Sequence, residues 1–141
     1  MADTQSIMAL DVGEKRIGVA IASPIAKIAN PHKTITNDEH IFDQLKGLIA
    51  DQHVGTVVVG LPRGLEGQET AQTQTIRNFN EKLQQQLKLQ TVFQDEAVTS
   101  VIAEEKLKEL GKPYSKEDID MYAAAQILED YLHSSAIKEL A

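Results

Sequence analysis

Two apolar runs near the N-terminus, separated by a turn that contains Gly13, constrain the fold of this chain more than any other feature. Residues 6–12 and 16–23 are both rich in apolar side chains. Such runs around a glycine-containing turn predict an antiparallel β-hairpin. Asp11 lies at the end of the first run, where a buried carboxylate loses favourable hydration unless a cation or strong hydrogen-bond donors replace it. The hairpin therefore predicts a cation, most simply a metal ion, beside Asp11.

The rest of the chain alternates strand and helix patterns. Apolar residues recur at helical spacing in some segments, and other segments are short and β-branched, which is typical of parallel strands covered on both faces. The predicted elements are, in order, a third strand over residues 31–36, a helix over 38–50, a strand over 56–61, a glutamine-rich helix ending near 88, a strand over 89–95, a helix stopped by Gly111 and Pro113, and a last helix from about Lys116.

Length, composition and charge limit the functional classes. With 141 residues the chain is expected to form a single domain over residues 1–141. The absence of cysteine excludes disulfides, thiolate metal sites and cysteine nucleophiles, and it agrees with a cytoplasmic location. No apolar stretch reaches the roughly 18 residues of a membrane span, so no membrane association is expected. A net charge of −7 argues against strong, indiscriminate nucleic-acid binding but permits a local basic surface.

The C-terminal helix carries an acidic residue on its apolar stripe. Helical spacing aligns Asp120 with four such positions, Ala124, Ile127, Leu128 and Tyr131. Asp120 then lies either on the buried face of the helix or at the edge of its stripe. Asp118 has a simpler interpretation, because Ser115 and Asp118 have the spacing of a capping box at the start of this helix.

A third acidic candidate is the pair Asp95 and Glu96, which ends the strand over residues 89–95. Neighbouring residues on a strand point to opposite faces, so only one of the pair is expected to share a cleft with Asp11. Asp95 is placed to cap the following helix, which favours Glu96 as the ligand. Together with Asp120, these carboxylates offer the oxygen ligands that Mg²⁺ and Mn²⁺ require, and two such ions support phosphodiester cleavage.

Four segments, in order along almost the whole chain, resemble motifs of the YqgF/RuvX family, the Holliday-junction-resolvase-like proteins also described as pre-16S ribosomal RNA nucleases. The opening motif is LDVGEKRIGVA at residues 10–20, and the central glycine-proline loop is VVGLP at residues 58–62 with Gly67 nearby. Asp95 and Glu96 followed by Thr99 are similar to the acidic motif. Residues 119–128 are similar to the C-terminal helix, with Asp120 as its acidic residue.

This resemblance implies a ribonuclease-H-like α/β fold: a mixed five-stranded sheet, with the first three strands antiparallel and the later strands parallel, and helices on both faces. It also implies hydrolysis of nucleic-acid phosphodiester bonds with bound Mg²⁺ or Mn²⁺, as two ions. The catalytic and metal-binding positions carried over by motif are Asp11, Glu96 and Asp120, with Asp95 as a substitute or supporting carboxylate.

Basic residues near these motifs are the candidates for phosphate contacts, namely Lys15, Arg16 and Arg63. The backbone N–H groups of Gly60, Gly64 and Gly67 are further candidates, although turn geometry explains such glycines equally well. The expected partner is nucleic acid, an RNA precursor or branched DNA, with association to the ribosome also possible. The chain is expected to act as a monomer or a homodimer, because a junction-cleaving enzyme usually needs two symmetry-related sites.

The chain departs from the family pattern at one position. The family usually has arginine directly after the glutamate of the acidic motif, whereas this chain has Ala97. Alanine cannot contact a phosphate or orient a carboxylate, so an alternative function is a nucleic-acid- or ribosome-associated binding module with weak or no catalysis. A sugar-kinase-like nucleotide site is a third interpretation of the Asp-x-Gly sequence, but that architecture needs two such domains around a cleft.

Overall fold

A mixed β-sheet with helices on both faces makes up the part of the chain that the structure describes. The computed structural model describes residues 5–23, 25–26, 28–96, 99–133 and 139–140. The strands are, in chain order, β1 (Ser6–Val12), β2 (Arg16–Ser23), β3 (Ile28–Thr36), β4 (Val54–Pro62), β5 (Gln90–Glu96) and β6 (Glu139–Leu140). Their order across the sheet is β3-β2-β1-β4-β5-β6.

The first three strands form an antiparallel meander, and β4 and β5 are parallel to β1. The predicted hairpin and the five predicted strands are therefore confirmed. The sheet also contains β6, which pairs antiparallel with β5 and was not predicted. A strand of two residues is too short to produce a period-2 pattern in the sequence.

The third strand begins earlier than predicted, at Ile28, so Pro31 lies inside the strand and not at its start. Pro31 lacks a backbone N–H, and β3 tolerates this because it lies at the edge of the sheet. The pairing of β2 with β3 shifts register between Val19 and Ala20, next to the Ala20–Pro31 pair. The proline therefore marks an irregular edge rather than the start of the strand.

Four helices follow the predicted pattern closely: α1 (Ile41–Asp51), α2 (Ala71–Leu87), α3 (Thr99–Glu109) and α4 (Lys116–His133). The predicted capping box of α4 is present, since Ser115 N–H donates to Asp118 Oδ2 at 2.9 Å and Asp118 N–H donates to Ser115 Oγ at 3.3 Å. Helix α2 has a capping box that was not predicted, between Thr70 and Thr73. Its third residue is threonine, whereas the usual sequence signature has Glu or Gln there.

Residues alternate between the two faces of the sheet, and each face has its own core. The face that we call the α2 face packs against α1 and α2, and its buried side chains are large, including Met8, Leu10, Ile17, Leu45 and Leu83. The opposite face, the α4 face, packs against α4 through small residues, including Ala9, Ala20 and Ala22 of the strands and Ala124 of α4 itself. Small side chains let a helix approach a sheet closely, and α4 lies over β1, β2 and β3.

None of the described helices is both long and apolar enough to cross a lipid bilayer.

Candidate active site

Asp11 lies near the end of β1 and faces α4. Alternation fixes this orientation, because Ile7 and Ala9 of the same strand belong to the core of the α4 face. Asp11 is partly buried, and its cross-strand partner on β2 is Gly18. The carboxylate thus lies at the edge of an apolar face, as the sequence predicted, with a residue that has no side chain beside it.

Glu96 ends β5 on the same face of the sheet. Val92, four residues earlier on β5, packs in the core of the α4 face. Because side chains alternate along a strand, Glu96 lies on the same face. Asp95 therefore points to the opposite face, where Arg63 Nε donates to Asp95 Oδ1 at 3.0 Å. The alternation argument correctly separated the two neighbours, and Glu96 is the one that shares a face with Asp11.

Asp120 reaches the site from the second turn of α4. Its side chain is 22% exposed, between the fully buried and fully exposed alternatives that the helical pattern left open. The main chain of Asp120 packs against Gly18 so closely that a Cβ atom on residue 18 would overlap the Asp120 carbonyl. Because Gly18 has no side chain, α4 can approach β2 closely and bring Asp120 over this strand, next to Asp11.

Gly60 of β4 makes space for Glu96 in a similar way. A Cβ atom on residue 60 would overlap Glu96 Oε2 and would also meet the Cδ1 atom of Ile127 in α4. The sequence suggested that Gly60 brings a backbone N–H to a phosphate, whereas in the structure its missing side chain accommodates a carboxylate. Neither this role nor that of Gly18 has a local sequence signature, because both depend on where α4 packs.

The electrostatic environment shows that the carboxylates act on one another. Burial raises the pKa of Asp11 to about 8, with further contributions from the negative charges of Glu96 and Asp120. Proximity of like charges and loss of hydration both oppose ionisation of Asp11. A bound divalent cation would reverse this effect, since it would favour the ionised carboxylate.

Arg16, the first residue of β2, places a positive charge directly against one of these carboxylates. Its Nε donates to Asp120 Oδ2 at 2.6 Å, and this hydrogen bond raises the pKa of Arg16. The preceding turn is closed by a hydrogen bond from Gly13 N–H to the Arg16 carbonyl at 2.9 Å. Asn37 braces the turn, because its side-chain amide donates to the Gly13 carbonyl at 2.8 Å. The hydrogen bonds of this turn thus help to fix the backbone position of Arg16.

The remaining basic and glycine candidates fall in different places. Lys15 is exposed on the turn, and Arg63 lies on the α2 face in contact with Asp95. Gly64 N–H donates to the Gln68 carbonyl, and Gly67 N–H donates to the Gly64 carbonyl, so both groups close the loop after β4. These two N–H groups are not directed at a ligand, and the turn interpretation of both glycines is the one that the structure supports.

The site has the oxygen ligands that suit a divalent metal, but its three carboxylates are not spaced to bind one together. Asp11, Glu96 and Asp120 supply oxygen ligands. A bound cation would also relieve the repulsion that Glu96 and Asp120 exert on the Asp11 carboxylate. Yet within the described part of the chain, no group of three or more His, Asp or Glu side chains is spaced to hold a metal ion. Asp120 is directed to Arg16 instead. Ala97, the position where the family usually has arginine, lies outside the described residues.

Comparison with known proteins identifies the family. The RuvX family profile, described as Holliday junction resolvase, matches residues 5–134. The chain belongs to the RuvX family. It is 45% identical over 132 residues to a Chloroflexus aggregans protein named "Putative pre-16S rRNA nuclease", covering 91% of this chain and 93% of that protein. A Sulfurihydrogenibium protein of the same name is 38% identical over 128 residues, with 89% and 88% of the two chains covered.

The fold of this RuvX-family chain is similar to that of Thermus thermophilus RuvC in a complex with a Holliday junction substrate. The TM-score is 0.56 at 11% sequence identity, and the match covers 97% of this chain and 99% of RuvC. This likeness confirms the predicted ribonuclease-H-like fold. Membership of the RuvX family places the chain among nucleases, which are hydrolases of phosphodiester bonds.

Proposed function

We propose that this chain hydrolyses phosphodiester bonds in nucleic acid at the α4 face of its sheet, with Asp11, Glu96 and Asp120 as the catalytic and metal-binding residues. One observation carries the proposal: burial raises the pKa of Asp11 on β1, and the carboxylates of Glu96 on β5 and Asp120 on α4 raise it further. Groups with strongly shifted pKa values are concentrated at functional sites.

Each residue has a distinct role in this proposal. Asp11, near the end of the central strand β1, would hold the divalent cations together with Glu96 and Asp120. When bound, Mg²⁺ or Mn²⁺ would polarise the scissile phosphate and make an attacking water more acidic. Lys15 and Arg16, on and directly after the exposed turn, would orient the nucleic-acid backbone across the site. Arg63 would contact a more distant phosphate beyond the carboxyl ends of β4 and β5.

The substrate that we favour is a ribosomal RNA precursor, with cleavage at the 5′ end of pre-16S rRNA. This choice rests on relatives at 38% and 45% identity that bear the pre-16S rRNA nuclease name. Such an activity would act in the cytoplasm and in association with the ribosome. Branched DNA is the second substrate class, suggested by the family description. Cutting a junction on two strands would require a homodimer with two symmetry-related sites, whereas a monomer suffices for an RNA end.

The test is a cleavage assay with Mn²⁺, using a 5′-extended 16S rRNA fragment and a synthetic four-way DNA junction. Wild type should cleave the RNA fragment at a discrete position, and Asp11→Asn, Glu96→Gln and Asp120→Asn should each lose that product. Asp130→Asn is the matched control, because Asp130 lies on the same helix as Asp120 but is exposed and distant from the strand ends. Equal product from wild type and Asp11→Asn would refute the proposal.

A binding module remains a second candidate, favoured by the ion pair between Arg16 and Asp120. If the site serves only to bind nucleic acid, wild type and Asp11→Asn should bind the RNA fragment equally and leave it intact at every Mn²⁺ concentration. Gel-shift measurements on the same protein preparations as the cleavage assay distinguish the two candidates.

A further inference from the structure

The ion pair between Arg16 and Asp120 occupies an atom that the proposed function assigns to a metal. Arg16 Nε and Asp120 Oδ2 are 2.6 Å apart, which is short even for a charge-assisted hydrogen bond. The side chains are 32% and 22% exposed, so the pair is partly shielded from solvent. The contact joins residues 104 positions apart and ties the start of β2 to α4.

The backbone around this ion pair is fixed on both sides. Gly18, two residues after Arg16, has no room for a side chain beneath the Asp120 carbonyl, so α4 and β2 are in direct backbone contact here. The turn before Arg16 is closed through Gly13 and braced by Asn37. Rotation of side chains is therefore sufficient to separate Asp120 from Arg16, without movement of strand or helix.

A guanidinium in this position opposes cation binding in two ways. It takes Asp120 Oδ2 as a hydrogen-bond acceptor, and its positive charge repels a divalent cation at short range. Arg16 is nevertheless accessible from solvent and follows an exposed turn, Glu14 and Lys15, that a nucleic-acid backbone can reach. Arginine binds phosphate oxygens through a bidentate fork, so a phosphate is a natural competitor for this side chain.

We infer that Arg16 is an internal counter-ion that competes with the divalent cation for Asp120, and that a nucleic-acid phosphate displaces it. Arg16 is then a positioning residue that couples the two ligands: nucleic acid strengthens cation binding, and the cation strengthens nucleic-acid binding by the same factor. The complete metal site forms in the presence of substrate. This inference rests on the proposed function, since it assumes that Asp120 is a metal ligand.

The experiment measures Mn²⁺ binding to the full chain by isothermal titration calorimetry, without nucleic acid. Removing the competitor in Arg16→Gln should tighten Mn²⁺ binding about tenfold, within the usual range of coupling between two ligands. Arg77→Gln is the matched control, because Arg77 Nη2 also lies 2.6 Å from a carboxylate oxygen, that of Glu69, but on the α2 face. It should leave Mn²⁺ affinity within about twofold of wild type.

The second part repeats the titration with a saturating 2′-O-methyl RNA hairpin, whose phosphate oxygens are unmodified, and gel analysis after the titration confirms that the hairpin is intact. The hairpin should tighten Mn²⁺ binding to wild type about tenfold and to Arg16→Gln by less than about twofold, because the coupling passes through Arg16. Mn²⁺ affinity that is equal or weaker in folded Arg16→Gln, or equal coupling in both proteins, would overturn the inference. Circular dichroism confirms that each variant is folded.

A third titration separates failure of this inference from failure of the proposed function. If Asp11→Asn binds Mn²⁺ as tightly as wild type, the metal site is wrong and both proposals fall. If Asp11→Asn loses Mn²⁺ binding while Arg16→Gln matches wild type, the metal site stands and the role of Arg16 alone is refuted.

Discussion

The two faces of the sheet treat carboxylates at neighbouring strand ends in opposite ways. On the α2 face, Asp95 contacts Arg63, and the hydrogen bond from Arg77 holds the pKa of Glu69 below its usual value. On the α4 face, burial and two further carboxylates raise the pKa of Asp11 to about 8. Adjacent residues in the sequence, Asp95 and Glu96, belong to these different environments. The comparison shows that acidic content does not identify a site, whereas the neighbours of each carboxylate do.

The two faces also differ in the size of the side chains that pack on them. The α2 face is filled by large side chains such as Met8, Leu10 and Leu83, which gain burial free energy and hold α1 and α2 at a distance from the strands. The α4 face gives up that volume, with alanines in the strands and with Gly18 and Gly60 beneath α4 and Glu96. One face therefore supplies stability, and the other uses close approach to assemble polar groups.

The largest expected effect is the loss of catalysis on the α4 face. Asp11→Asn should reduce RNA cleavage about 10³-fold or more, because a ligand of a catalytic cation contributes several kcal/mol to transition-state stabilisation and each 1.4 kcal/mol is a factor of ten. Asp95→Asn, the same change on the α2 face, should alter the rate by less than about fivefold. Single-turnover cleavage with Mn²⁺ measures both rates. Comparable losses in the two variants would break the distinction between the faces.

The packing contrast predicts opposite effects of the same substitution at two glycines. Gly18→Ala should lower the free energy of unfolding by about 3 kcal/mol, because its Cβ would overlap the Asp120 carbonyl. Gly47→Ala in α1 meets no atom within 4 Å and should instead raise the free energy of unfolding by about 0.5–1 kcal/mol. Urea denaturation of both variants tests this, and a neutral Gly18→Ala would mean that α4 can move away from β2.

The charge contrast predicts a pH dependence of stability in buffer that contains a chelator. The folded-state pKa of Asp11, about 8, lies above its unfolded value of 3.8, so the folded protein holds the extra proton between these values. The contribution of Asp11 to the free energy of unfolding is therefore full below about pH 4 and is lost as the pH rises towards 8. Asp11→Asn should therefore be more stable than wild type at pH 8, by about 2 kcal/mol after allowance for solvent screening.

Thermal unfolding from pH 4 to pH 9 checks this prediction as the difference between Asp11→Asn and wild type, since other carboxylates cancel in that difference. A gap that does not widen with pH would show that Asp11 is ionised in the folded protein without metal. Excess Mn²⁺ should stabilise wild type alone and reverse the order of the two proteins at pH 8.

The smallest effects concern the two helix caps. Thr73 is fully buried and donates to the Pro62 carbonyl at 2.5 Å, so Thr73→Val should cost about 1–2 kcal/mol. Ser115 is exposed, and Ser115→Ala should cost about 0.5–1 kcal/mol. We nevertheless expect Ser115→Ala to reduce cleavage more, because it loosens the start of the helix that carries Asp120. Activity losses that follow stability alone would contradict this.

Periodicity in the sequence was sufficient to predict the hairpin, the five main strands, the four helices and the placement of Asp95 and Glu96 on opposite faces of the sheet. These features depend on residues close together in the chain, whose alternation or helical spacing is visible directly. The capping box of α4 was predicted for the same reason, whereas that of α2 was not, because Thr73 replaces the expected Glu or Gln. Local patterns predict local structure when the residue types match the known signature.

The contacts that shape the site were beyond local patterns. Arg16 and Asp120 are 104 residues apart, and periodicity predicts which way a helix faces but not its height above the sheet. The roles of Gly18 and Gly60 follow from that height, so these glycines could be read only as turn or strand residues. Likewise, the Arg63 side chain was predicted to face a phosphate, and its bond to Asp95 appears only once β4 and β5 are paired.

The pairing of Asp11 with Gly18 has a consequence for changes in chain length. Both residues face α4 only in the observed register, which the braced turn of Gly13 and Asn37 sets. A single residue inserted into that turn and absorbed as a one-residue slip along β2 would exchange its two faces, placing Gly18 on the α2 side and a bulky Ile17 or Val19 under α4. The turn is therefore expected to tolerate substitution at Glu14 far better than insertion or deletion.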